Sequence, residues 1–188
     1  MVRVYVVDNG GQWTHREWRV LKYLGADTKI VPNTTPFEEL RDLDGLVLSG
    51  GAPRIGLSDK LGNCDDYLDQ ASYPILGICA GHQVMAKHFG GKAEPGKVPE
   101  FGLAELIVDK AEGVLEGVPP RSKVWESHND EVTVVPPSFT VLARSESCPV
   151  QAMMHDRRPL FGLQFHPEVE HTEFGRRMFE NFLGLCKK

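Results

Sequence analysis

With 188 residues, 41% of them hydrophobic, the chain is long enough to form one domain, residues 1–188, around a full core. A formal net charge of -5 without any Lys/Arg cluster argues against a nucleic-acid groove or an anionic membrane surface as partner. No apolar run approaches the ~20 residues of a membrane helix, and Cys64, Cys79, Cys148 and Cys186 fit neither a zinc site nor a disulfide framework, so a soluble, reduced, cytoplasmic protein is expected.

In chain order the first half alternates strand and helix. Val2 to Val7 reads as a buried strand ending at the turn Asp8-Asn9-Gly10-Gly11. Trp18, Leu21 and Leu24 then share one helical face, with Gly25 as the stop. Thr28 to Val31 predicts a second strand, and Thr35-Pro36-Phe37-Glu38 has the capping-box pattern of a helix start. Gly45 to Leu48 predicts a third strand, running into Ser49-Gly50-Gly51, and Ile75 to Ile78 a fourth, followed by a helix from Gln83 to Phe89. The second half carries strand signals at Leu103–Val108, Thr140–Ala143, Val150–Met153 and Leu160–Phe165. It closes with a helix whose Phe174, Met178, Phe182 and Leu185 share one face. The expected fold is α/β: a mostly parallel central sheet with helices on both faces and a small antiparallel portion. In such sheets ligands bind beyond the carboxyl ends of the strands, where Cys79 and both Gly-Gly turns belong.

The chemistry centres on Gly77-Ile78-Cys79-Ala80-Gly81. Strand, sharp turn and helix form the frame of a nucleophile elbow, with glycines where side chains would clash and the sulfur near a helix N-terminus. The plainer reading is a small core thiol at a strand end. A thiol nucleophile needs a base, and His166 in Gln164-Phe165-His166-Pro167-Glu168 also follows a strand that should end at this edge. An extended chain at Pro167 would turn Glu168 to the same side as His166, giving a Cys/His/Glu triad. Taken singly, His166 is a turn histidine and Glu168 a surface charge. A zinc reading of His166, Glu168 and His171 lacks the helical histidine pair. Gly51 and Gly56 have phosphate-loop spacing, but Leu57 stands where the lysine is required, so nucleotide binding is rejected. The Gly51 N–H could instead join that of Ala80 in an oxyanion site, a donor worth roughly 3 kcal/mol of barrier.

These residues resemble the class I, triad-type glutamine amidotransferases, through Gly77 to Gln83, Ser49-Gly50-Gly51 and Phe165-His166-Pro167-Glu168. More narrowly, Asp8 to Gln12, Arg19 to Gly25 and Val124 to Val132 are similar to the stand-alone glutaminase subunits of archaeal-type GMP synthases. The resemblance implies a flavodoxin-like fold, Cys79 as nucleophile, His166 and Glu168 completing the triad, and Gly50, Gly51 and Ala80 around the oxyanion. It further implies that Gln83 binds L-glutamine, with Ser127, His128 and Asn129 at the amino-acid end of the substrate. His128 and Asp130 would instead, or in addition, face a partner. That partner is an ATP-dependent GMP synthase subunit of the ATP pyrophosphatase type, which would hold ATP and Mg; this chain would hold no cofactor or metal. Ala52 after the two glycines, Ala80 in place of leucine, and a long Arg54–Asn63 loop depart from the family pattern. The rival readings are an amidotransferase subunit for anthranilate, carbamoyl phosphate or CTP synthesis, and a cysteine-elbow redox or stress protein.

Overall fold

A computed structural model describes residues 1–187. Nine strands form one sheet: β1 (Val4–Asp8), β2 (Ile30–Pro32), β3 (Gly45–Leu48), β4 (Ile75–Ile78), β5 (Lys92–Val108), β6 (Arg121–Val134), β7 (Phe139–Arg144), β8 (Ala152–His155) and β9 (Leu160–Leu163). Their order is β2-β1-β3-β4-β9-β8-β7-β5-β6. The first five in that order are mutually parallel, and the rest pair antiparallel.

Alternate side chains of the parallel strands serve opposite faces, as a strand's period of two requires. Leu46 and Leu48 pack with Tyr67 and Leu68 of α2 (Cys64–Gln70) and Val84 and Met85 of α3 (Ala80–His88). Val4, Val6 and Val47 pack on the other face with Leu21 of α1 (Thr14–Tyr23) and Met178, Phe179 and Phe182 of α4 (Gly175–Cys186). Both faces are thus covered by helices, and the strands read as near-continuous apolar runs for that reason.

The structure departs from expectation at several places. Thr35 to Glu38 starts no α-helix. Only a 3-10 turn, Phe37–Glu39, forms, and the Thr35 hydroxyl donates to the Pro32 carbonyl at 2.6 Å instead of capping a helix. The chain must reach β3 by Gly45 while burying Leu40 and Leu43, which leaves no room for further turns. On α4, Phe174 and Leu185 are exposed rather than inward. Phe174 sits at the helix start with φ 60°, outside the helical stripe that Met178, Phe179, Phe182, Leu183 and Cys186 form. The strand expected at Leu103–Val108 starts at Lys92, and with β6 it makes the longest hairpin of the sheet.

Candidate active site

The elbow forms as its glycines require. Cys79 directly follows β4 and caps α3 with φ 52° and ψ -106°, a conformation costly for a side-chain-bearing residue and characteristic of strained functional turns. A Cβ on Gly77 would lie 2.7 Å from the Gly81 carbonyl carbon, and one on Gly81 would collide with the Leu48 carbonyl oxygen. α3 starts at Ala80, three residues earlier than expected, so its N-terminus directly abuts the sulfur. Being first in the helix, the Ala80 N–H has no helical acceptor, and Gly51 donates to no backbone carbonyl among the described residues.

His166 follows β9, the parallel neighbour of β4. Its Nδ1 lies 2.6 Å from Glu168 Oε1, so Glu168 fixes the ring. The residues are brought together by a turn, closed by the Val169 N–H on the His166 carbonyl, rather than by an extended chain. Proline's fixed φ suits the second position of such a turn, which corrects the route but keeps the pairing. The His166 N–H donates to the Trp125 carbonyl (2.9 Å), the Trp125 N–H to the Thr172 hydroxyl (2.9 Å), and that hydroxyl to the His166 carbonyl (2.7 Å). Trp13 packs edge-on against the imidazole with centroids 4.6 Å apart. A Cβ on Gly50 would lie 3.2 Å from His166 Cε1 and 3.4 Å from Cys79 Cβ, so base and nucleophile flank the same glycine. Burial opposes a charge on His166, but the Glu168 carboxylate and the Cys79 sulfur outweigh it and hold its pKa well above the ordinary histidine value. A cationic ring beside a sulfur is the setting in which thiolates act as nucleophiles. Burial pushes the Cys64 and Cys186 thiols up to about 12, and the Cys148 thiol also rises.

Two cavities meet at Cys79. One, of about 280 Å³, is walled by the turn after β1, by Glu17 of α1, by Gly50, Gly51 and Ala52, and by His166 and Glu168. The other, of about 170 Å³, gathers Gly51, Ala80, Gln83, Ser127, His128, Asn129 and Asp130. Gln83 Nε2 donates to the Asp130 carbonyl (2.8 Å) and to Gln164 Oε1 (3.0 Å), while Gln164 Nε2 donates to Cys79 Sγ (3.6 Å). The Ser127 carbonyl accepts from the Cys79 thiol at 3.7 Å.

His128 and Asp130 are buried on β6 and line the smaller cavity. Both are nearly inaccessible. His128 Nε2 lies 2.9 Å from Glu100 and 3.3 Å from Glu126, and its Nδ1 donates to the Asp130 carbonyl at 2.9 Å. Asp130 takes a two-pronged bond from Arg54 (2.9 and 2.7 Å) and the Gly56 N–H. Inward alternation along β6 buries them, and the burial cost is offset by Glu100 and Glu126 around His128 and by Arg54 on Asp130. Glu100, His128 and Cys148 offer ligand atoms within 4.8 Å of one another, but His128 Nε2 is already bonded to Glu100.

Burial works against the His128 proton, yet Glu100 and Glu126 prevail and push its pKa up to about 10. That value lies above the ordinary 6.5, so the cluster's contribution to stability is complete below about pH 6.5 and is lost as pH rises through about 10. Thermal unfolding of the wild type should weaken across that window. His128→Gln should melt lower at pH 6.5 by roughly 3 °C or more and show a flatter pH dependence; equal slopes would remove His128 as the cause.

The family "Glutamine amidotransferase class-I" matches residues 5–185. The chain belongs to the class-I glutamine amidotransferases. A Thermoplasma acidophilum protein whose name makes it a component of glutamine-hydrolyzing GMP synthase is 55% identical over 187 residues, covering 99% of this chain and 94% of that one. Its namesake from Thermococcus kodakarensis is 50% identical, covering 97% of this chain and 98% of that one. A crystal structure of a putative GMP synthase component from T. acidophilum superposes with a TM-score of 0.95 at 55% identity, over 99% of this chain and 94% of the other. A glutamine amidotransferase from Thermotoga maritima shares the fold, with a TM-score of 0.72 at 22% identity, over 97% of this chain and 81% of the other.

In this class-I amidotransferase the departures at the glycine turn are absorbed locally. Ala52 lines both cavities while Gly51 stays against the Asn9 backbone. The Arg54–Asn63 loop folds inward, burying Ile55 and Leu61 and presenting Arg54 to Asp130. Two further site residues were not expected from the sequence. Gln164 touches the sulfur, and nothing in its pattern separates it from a strand-end glutamine. Glu17 had a signal: it shares the inward stripe of α1 with Thr14, Trp18, Leu21 and Leu24, a carboxylate where apolar side chains belong.

Proposed function

We propose that this chain is the glutaminase subunit of a GMP synthase, hydrolysing L-glutamine and passing ammonia to a separate ATP-dependent subunit that aminates xanthosine monophosphate. The observation that carries the chemistry is the His166–Glu168 bond of 2.6 Å on a ring that flanks the same glycine as Cys79. The pathway is supported by relatives named for that enzyme, at 50–55% identity over nearly their whole length.

Cys79 thiolate attacks the side-chain amide carbon of glutamine lying in the cavity of Gln83, Ser127, His128 and Asn129. The oxyanion develops against the Gly51 and Ala80 N–H groups, next to Gly50. His166 gives its proton to the departing nitrogen, and the C–N bond breaks to leave a thioester and ammonia. Water deprotonated by His166 then attacks the thioester, and glutamate leaves as the Cys79–carbon bond breaks. ATP and Mg belong, in this reading, to the partner subunit, since Leu57 occupies the position a phosphate loop gives to lysine. A redox role has no use for the Glu168 bond to His166. Among the described residues no helix is long and apolar enough to cross a membrane, in keeping with a cytoplasmic enzyme.

The test is to combine this chain with an ATP-dependent GMP synthase subunit, xanthosine monophosphate, ATP and glutamine. GMP should form well above the rate of the synthetase alone; no increase would overturn the pathway assignment.

A further inference from the structure

α1 turns Glu17 into the larger cavity, where it is 1% exposed and shares the walls with Cys79, His166 and Glu168. Among the described residues, one oxygen of Glu17 and one of Glu168 have no hydrogen-bond partner, and no lysine or arginine lines this cavity. Two carboxyl groups and one imidazole therefore occupy a space without any other cation. A charge on Glu17 would be opposed by its burial and by the Glu168 carboxylate. Glu168 holds the imidazole at 2.6 Å, while Glu17 forms no ion pair among the described residues.

We propose that Glu17 is a positioning residue of this centre: a neutral carboxylic acid that fills the space behind the triad and leaves Glu168 as the only carboxylate anion against His166. The inference rests on the triad reading given above. His166 must both give a proton to ammonia and take one from water, and a second carboxylate beside it, added to Glu168 and the Cys79 thiolate, would hold that proton too tightly for the exchange. Burial and the Glu168 charge, in that order, raise the Glu17 pKa well above the carboxylate range. The titratable groups facing it are Glu168 and His166 from the turn after β9 and Cys79 from the end of β4, while the Gly50 N–H approaches from the turn after β3. Its neighbours on the inward stripe of α1, Thr14 and Leu21, are uncharged.

Infrared difference spectra of the full chain, wild type minus Glu17→Gln at pH 7, test the protonation state directly. The carbonyl band of a protonated carboxylic acid should be lost in Glu17→Gln. Glu17→Met, which neither ionises nor donates a hydrogen bond, should lose the same band. The pH profile of Cys79 alkylation by iodoacetamide gives the second measurement. The wild type should show an alkaline inflection, where Glu17 ionises, that both variants lack. An unchanged band in both variants, or superimposable alkylation profiles, would overturn the inference about Glu17. Failure of Cys79 to be the reactive thiol in the wild type would instead overturn the triad reading, so the two failures are separable.

Discussion

Replacing Cys79 with alanine is expected to abolish glutamine-dependent GMP formation by the assembled complex, by roughly 10⁴- to 10⁶-fold, as removal of a covalent nucleophile does. Ammonia-dependent formation should persist, because the amination of xanthosine monophosphate is assigned to the other subunit. The substitution removes only the sulfur. Alanine suffers at φ 52° as cysteine does, so the elbow retains its strain and the fold its stability. Measuring both nitrogen sources on one preparation separates loss of chemistry from loss of assembly. If glutamine still supported synthesis, the nucleophile would lie elsewhere; if ammonia failed too, the variant would have damaged docking rather than hydrolysis.

The second large effect is structural and begins two residues on. Gly81→Ala would drive a methyl group into the Leu48 carbonyl and within 2.9 Å of the Leu48 Cβ. Leu48 is fully buried on β3, which is paired on both sides, by β1 and β4, and cannot retreat. Overpacking of this kind costs about 3 kcal/mol, which for a chain of this size lowers the melting temperature by roughly 6–12 °C. Glutaminase activity should fall further than stability, because α3 must tilt and carry the Ala80 N–H away from the oxyanion. Gly184→Ala is the matched control. That position on α4 is exposed and open, and alanine there should stabilise the helix by up to about 1 kcal/mol. A Gly81→Ala melting temperature at or above that of the wild type would refute the packing argument.

The elbow was legible because its constraints are local: two glycines, a cysteine and an apolar strand specify it within five residues. The parallel strands were legible for a similar reason, as burial on both faces writes a continuous apolar run into each. The β5–β6 hairpin was harder. Pro95, Gly96, Pro99 and Gly102 punctuate β5, and a register irregularity between Pro95 and Glu100 breaks the alternation that would mark one long strand. The burial of His128 was not legible because the groups that bury it, Glu100 in particular, stand 28 positions away. The short acidic segment Cys64–Gln70 gave little helical pattern, since only Cys64, Tyr67 and Leu68 face the core. Pairing at long range, not residue type, decides these features.

The hydrogen bonds that hold His166 in place have a second effect. β6 is the last strand of the sheet, fourteen residues long, and a strand of that length with a free edge invites pairing with another chain. The segment after β9 lies along it: His166 and Glu173 donate to the Trp125 and Lys123 carbonyls, and Trp125 donates to Thr172. The turn that carries the base therefore also blunts the sheet's outermost rim against edge-to-edge aggregation. Moving His166 would mean peeling this cover away, so the position of the proton carrier and the solubility of the protein are guarded by the same few backbone bonds.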